Sequence, residues 1–443
     1  MARWTPRVGT PWTDRSMAEA SAGPARRLPH GLRRMTGRDV HEHERTATPL
    51  ELLYDLTVVV AFSVSGGLFA HSIAFGHALQ GSVAFAFSCF AIVWAWISYT
   101  WFASAYDTDD WAMRLGTLVQ MVGIIVIALG LPDVFHGFED GELHNRIMVA
   151  GYVTMRASMA ALWLRAAADD PVHRPTLLTY VRLTLLAQVG WVVVALTHLP
   201  WAVLLPLLLV LYALEMGAVW LAERRRPIPW HPHHIAERYG LLAIISLGEI
   251  VLGTTVAVQA LVEHQGWSLD AVIVVAAGIS IAFGLWWMYF GLPFGEALAL
   301  QHEKGTRFGV GHIALYGSIA AVGAGLHVAA YFVEQENGTT IGLLGTVLSV
   351  GVPMAACLGV AFWLAHQLLP GRDRLHTALL GASALVIGAG VFVAAAGAPL
   401  STCLLVLMIV PWITVVGYET RGHEHLQRVL DRLHSERAEV ADP

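Results

Sequence analysis

Lysine is almost absent from this chain. Of its 27 basic residues one is a lysine, Lys304, and the rest are arginines. Charge of either sign is scarce as well. Asp, Glu, Lys and Arg make up 14% of the 443 residues, against about 25% in soluble globular proteins. A chain this poor in charge lacks the means to solvate an ordinary globular surface. Cysteine is limited to Cys89, Cys357 and Cys403, each isolated in an apolar run. Neither a disulfide framework nor a cysteine metal site is expected from that spacing. No P-loop and no HExxH pattern occurs, so neither ATP-driven work nor zinc-protease chemistry is indicated. The histidine-rich HEH stretches at 41–43 and 423–425 read as solvated surface. No cofactor, metal or oligomeric state is assigned by the sequence, and no nucleic-acid partner is expected.

What the chain has is apolar length. Hydrophobic residues reach 56%, and the mean hydropathy is +0.58. They come in twelve runs, roughly 52–73, 81–102, 114–131, 147–166, 178–198, 201–221, 239–262, 270–290, 310–332, 340–367, 376–396 and 400–418, each near the ~20 residues that cross a bilayer. Lipid satisfies no peptide groups, so the spans must be helices. The 42 glycines suit close helix packing. The expected fold is an all-α polytopic transmembrane bundle of about twelve spans, and its partner is the lipid bilayer.

Basic residues gather on the cytoplasmic side of membrane proteins. With the N-terminus placed there, 25 of the 27 fall in inner segments or helix ends, leaving Arg146 at an outer end and Arg156 inside a helix. The outer loops carry Asp133, Glu139, Asp140, Glu142, Glu263, Asp270, Glu334 and Glu336 instead. Both termini are therefore expected in the cytoplasm. Residues 1–48 read as a basic disordered arm, 49–420 as the membrane domain, and 421–443 as an amphipathic tail with Leu426, Val429, Leu430 and Leu433 at helical spacing.

Charges inside spans are costly and usually functional. Arg156 lies roughly 14 Å from the outer end of the fourth run and Glu249 roughly 16 Å from the inner end of the seventh, at 1.5 Å per residue. Both reach the midplane, and Glu215 lies well inside the sixth run. Arg156 and Glu249 are expected to form a midplane site with Glu215 near. Gln120, Gln188, His312 and His327 add polarity within the spans. A second concentration opens the first, third and seventh runs. Glu51 and Asp55 are four residues apart, on one helical face. Asp107, Asp109, Asp110 and Arg114 follow the second run, and His233, His234, Glu237 and Arg238 precede the seventh. These three stretches are expected to converge into an acidic cytoplasmic vestibule, although an acid at 107–110 also suits a helix start.

Internal likeness points to halves at 49–226 and 227–420. ELLYDLTVVV (51–60) matches ERYGLLAII (237–245), and WAWISYTWF (94–102) matches LWWMYF (285–290). Six spans per half would make a parallel six-plus-six repeat, a pattern found in transporters.

ELLYDLTVVVAFS, WISYTWFASAYDTDDWAMRLGTLVQM, AGYVTMRASMAALWLRAA and HHIAERYGLLAIISLGEIVLG together resemble the low temperature requirement A family of bacterial membrane proteins. The resemblance covers about residues 45–420. One departure is LLYDLTVVV, where the family usually shows two phenylalanines. The resemblance implies a polytopic protein of the bacterial inner membrane and supplies no substrate or reaction. From the residues, an ion- or proton-coupled secondary transporter of a small molecule or ion is expected. The alternative is an intramembrane enzyme using Asp107, Asp109 and Asp110, a DxDD arrangement similar to the acid motif of class II terpene cyclases, as acid or Mg²⁺ ligand on an isoprenoid or lipid. A membrane scaffold or sensor is a third reading.

Overall fold

The computed structural model describes residues 31–38, 45–224, 226–335, 338–369 and 374–441. Among them there is no strand, and twelve helices are long and apolar enough to cross a membrane. They are α1 (Pro49–Ala74), α2 (Ala78–Tyr106), α3 (Trp111–Asp140), α4 (Arg146–Asp169), α5 (Arg174–Leu196) and α6 (Trp201–Glu223). Then come α7 (Pro232–Gln265), α8 (Leu269–Phe290), α9 (Gly305–Glu334), α10 (Leu343–Leu368), α11 (Arg374–Ala395) and α12 (Leu400–Gly422). The protein is an all-α polytopic bundle with the span count that hydropathy predicts.

Two helices outrun their apolar cores. α3 continues past Pro132, so Asp133, Glu139 and Asp140 stand on its last turns and not in a loop. α7 starts at Pro232, several residues before its hydropathy rises. A charged side chain ends an apolar run without breaking the backbone ladder, and proline is at home in a helix's first turn.

The halves pack in a similar order. α1 meets α2 and α3, and α3 meets α4; α7 meets α8 and α9, and α9 meets α10. Between the halves, α1 and α2 meet α7 and α9. α2 and α9 are the most enclosed, with 72% and 78% of their apolar windows buried, whereas α6 and α11 reach 28% and 22%. The site must therefore be sought around α2 and α9. The close crossing of α7 and α9, both in the second half, needs glycine. A Cβ on Gly253 would stand 2.2 Å from the Gly323 carbonyl oxygen, and one on Gly323 would stand 2.4 Å from that of Glu249. No side chain fits between α7 and α9 there.

Odd-numbered helices start, and even-numbered ones end, on one face of the bundle. Residues 31–38 and 45–48, assigned by sequence to the basic arm, are seated on it. Met35 is fully buried, its N–H donates to Asp169 Oδ2 (3.0 Å), and the Ala47 N–H donates to Glu237 (3.1 Å). The rest of that arm, including the first HEH stretch, lies outside the described residues. A final helix, His423–Ala441, packs on the short helix Phe294–Leu300, where His434 meets Glu296 at 2.9 Å.

Candidate functional site

Halfway through the bundle, Arg156 of α4 is paired with Glu215 of α6, Nη2 to Oε2 at 2.9 Å, and both are buried. Arg156 also donates to Tyr152 OH (2.6 Å) and Ser98 Oγ (2.6 Å). Glu215 accepts from Trp94 Nε1 (2.9 Å) and Gln188 Nε2 (3.1 Å). This corrects the expected Arg156–Glu249 pair. Rise per residue gives depth along a helix but carries no information on which helices are neighbours. α4 and α6 flank α5, whereas Glu249 faces α1. There Ser63 Oγ donates to Glu249 Oε1 at 2.5 Å. Among the described residues no cation stands within ion-pair distance of Glu249, which is 7% exposed.

A cavity of about 60 Å³ leads to the Arg156–Glu215 pair. Its walls are aromatic: Trp94 and Trp101 of α2, Trp163 of α4 and Tyr180 of α5, with Thr184, Thr306 and Gly309 as further lining. Trp163 and Tyr180 are stacked at 4.8 Å, and Trp101 donates to Tyr239 OH at 2.9 Å. Trp101, Trp163, Tyr180 and Thr306 lie near helix ends on the face that carries residues 31–48, so the cavity occupies that half of the bundle with the ion pair at its floor. Its walls come from both halves of the chain. Its lining is largely apolar with a few convergent polar groups, the make-up of a ligand site.

The second cluster lies across α2 from the first. Arg238 of α7 is completely buried between Glu51 (2.8 Å) and Asp55 (2.6 Å), and Trp96 Nε1 donates to Asp55 at 2.7 Å. His234 Nε2 stands 3.2 Å from Glu51. Thr48 and Glu51 form a reciprocal cap on α1, with the Thr48 N–H donating to Glu51 at 2.8 Å, so one carboxylate serves the helix end and the ion pair together. Arg45 bridges Glu51 (3.7 Å) and Asp107 (3.8 Å) and donates to the Ser104 and Ala103 carbonyls, the open end of α2. Burial pulls the Arg45 guanidinium down to about 10, and the two carboxylates oppose that pull. Burial first, then Glu51, pushes the Asp107 carboxyl up. The three sequence stretches thus meet, but around arginines in a sealed cluster and not as an open mouth. His233 and Glu237 face outward from it.

The three aspartates of the loop do three separate jobs. Asp107 Oδ1 accepts from the Asp109 N–H at 2.9 Å, a turn typical of Asp. Asp109 has φ +48°, a left-handed conformation that Asp tolerates, and its exposed carboxylate pairs with Arg114 at 3.0 Å. Asp110 caps α3 through the Met113 N–H (3.0 Å), accepts from the Arg33 N–H (3.1 Å) and is gripped by both Arg165 nitrogens. Burial alone would raise Asp110, but the Arg165 bonds and the two backbone donors outweigh it and hold the carboxyl below its usual range. A general acid or a shared Mg²⁺ needs carboxylates that converge. These diverge, and each faces its own arginine. Among the described residues no group of three acids, histidines or cysteines could hold a metal.

Sequence reasoning did not place Trp94, Trp96, Ser98, Tyr152, Arg45 or Arg165 at either cluster. A signal existed for the tryptophans: two residues apart on a helix, they point to opposite sides. Arg45 and Arg165 were visible only as members of the basic tally.

Twelve apolar helices and ion pairs buried among them define a polytopic membrane protein. Residues 46–411 match the family described as bacterial low temperature requirement A protein (LtrA), and the chain belongs to that family. It is also similar to an uncharacterized protein of Rhizobium meliloti (strain 1021), 25% identical over 389 residues that cover 82% of this chain and 87% of the relative. No solved structure matches.

Proposed function

We propose that this protein is an ion- or proton-coupled secondary transporter of the bacterial cytoplasmic membrane, with Arg156 and Glu215 as its substrate site. The observation that carries the reading is the cavity. It reaches the bundle's middle, ends on a buried ion pair and is walled by helices of both halves. A scaffold has no use for a charged pair at the floor of a cavity. Alternating access does, because two halves that rock about a central site expose it to each side in turn. The similar packing order of α1–α4 and α7–α10 supports a parallel repeat. The arginine distribution supports a cytoplasmic position for the face carrying residues 31–48, and in this reading the cavity opens on that side.

Glu249 is the coupling group in this reading. It sits where α7 and α9 make their closest crossing, with one hydroxyl as its hydrogen-bond partner. An unpaired carboxylate is expensive to keep charged in a span, and binding a proton removes that cost. Movement of α7 against α9 and α1 would accompany gain and loss of the proton.

The test is flux in proteoliposomes with a pH dye inside and a metabolite pool outside. Wild type should move protons only when a component of the pool is present, and Glu249→Gln and Glu215→Gln should each abolish that movement. No flux with any pool, from protein whose fold is verified by its unfolding midpoint, would overturn the proposal.

A further inference from the structure

We infer that the cavity takes a small zwitterion, with an ammonium and a carboxylate at one end and an apolar, flat body at the other. This deepens the substrate-site reading above and rests on it. The first argument is charge balance. The floor holds one guanidinium and one carboxylate, 2.9 Å apart and buried. A monoanion that claimed Arg156 would leave Glu215 short of its partner, and a monocation that claimed Glu215 would strand Arg156. Each leaves an uncompensated buried charge, which is the costly outcome. A zwitterion meets the pair head to tail and leaves the total at zero.

The second argument is spare hydrogen-bonding capacity on both members of the pair. Arg156 Nε is buried and has no hydrogen-bond partner among the described residues. Glu215 Oε1 accepts a single bond, from Gln188. A donor and an acceptor thus remain available at the one place in the cavity where both charges sit, and a carboxylate and an ammonium would fill them. The third argument is the wall. Trp94, Trp101, Trp163 and Tyr180 line the approach to the pair, which suits an apolar, flat body.

Three probes of one shape separate the charge types: L-phenylalanine, a zwitterion; 3-phenylpropionate, an anion; and 2-phenylethylamine, a cation. Binding to full-length protein in nanodiscs is followed by calorimetry and by quenching of tryptophan emission excited where phenylalanine does not absorb. Phenylalanine should bind at least tenfold more tightly than either singly charged probe. Glu215→Gln leaves Arg156 without its counter-charge, so the preference should turn to phenylpropionate. Ala218→Trp, which fills the cavity from α6, should weaken all three probes together, and it supplies a readout should Glu215→Gln fail to fold. A wild-type preference for a singly charged probe, an order unmoved by Glu215→Gln, or binding unaffected by Ala218→Trp would overturn the assignment, as would no binding of any probe. Failure of the transport reading is separable: protein that binds phenylalanine in this order but carries no flux keeps the zwitterion site and loses the transporter. Protein that carries flux without the order does the reverse.

Discussion

On either side of α2 lies a buried arginine, and the two are kept in different ways. Arg156 has one carboxylate, Glu215, at the floor of a cavity, and the groups around it are neutral donors and hydroxyls. Arg238 has two carboxylates, Glu51 and Asp55, in a cluster with no described cavity, held by helix caps and by the seated segment at 45–48. α2 serves both, through Trp94 on one side and Trp96 on the other. The chemistry is the same and the access differs. A sealed cluster fixes helices to one another; a pair at the end of a cavity can exchange partners with something that enters. Burial of charge alone does not mark a functional site, and burial beside open space is the better sign.

The largest expected effect falls on the sealed side. Arg238→Met strands Glu51 and Asp55, and should destabilise the protein by about 3–5 kcal/mol, the usual result of removing one member of a buried pair. Adding Glu51→Gln and Asp55→Asn should restore much of the loss. Denaturant unfolding in detergent measures both steps, and a small loss for Arg238→Met alone would erase the contrast. On the open side, Glu215→Gln also leaves Arg156 without its counter-charge, and it should cost less than the about 3–5 kcal/mol of a sealed pair because water entering the cavity can solvate the guanidinium, while removing flux. If it unfolds the protein as Arg238→Met does, the pair is structural after all.

Next in size is the loop clamp. Asp110 is held below the usual carboxylate range by Arg165 and two backbone donors. A carboxyl lowered on folding adds stability that is fully present above its unfolded value of about 4 and is lost as pH falls through the folded one. Asp110→Asn should therefore lower stability by about 2 kcal/mol at neutral pH and flatten the acid limb of a stability–pH curve. An unchanged limb would mean that the Arg165 contact contributes nothing. Smallest is Asp109→Asn. Its pair with Arg114 is about half exposed, so the loss should stay within about 0.5 kcal/mol, with flux and cellular lipids unaltered. A changed lipid profile would revive the enzyme reading.

The bundle was legible because each helix must carry its own apolar run, whatever its neighbours. The twelve spans needed only hydropathy. Arg156, Glu215 and Glu249 could likewise be recognised as buried charges, since charge in a span is a local fact. Their pairing was not legible, because azimuth and helix adjacency are properties of the assembled bundle. The same limit hid Arg45 and Arg165, which sequence counts as surface charge. Asp107, Asp109 and Asp110 misled for a different reason. A turn, a left-handed residue and a helix cap in succession all favour aspartate, and their sum imitates a catalytic motif.

The seating of residues 31–48 has a consequence for how the protein is made. This stretch leaves the ribosome before any of the twelve helices. Yet Met35 is anchored by Asp169 at the end of α4, and Ala47 by Glu237, which follows it by 190 positions. The first site does not exist until α4 has been inserted, nor the second until α7 has. The stretch must wait in water beside a half-built bundle, and it is fully seated only after seven helices that were translated later than it.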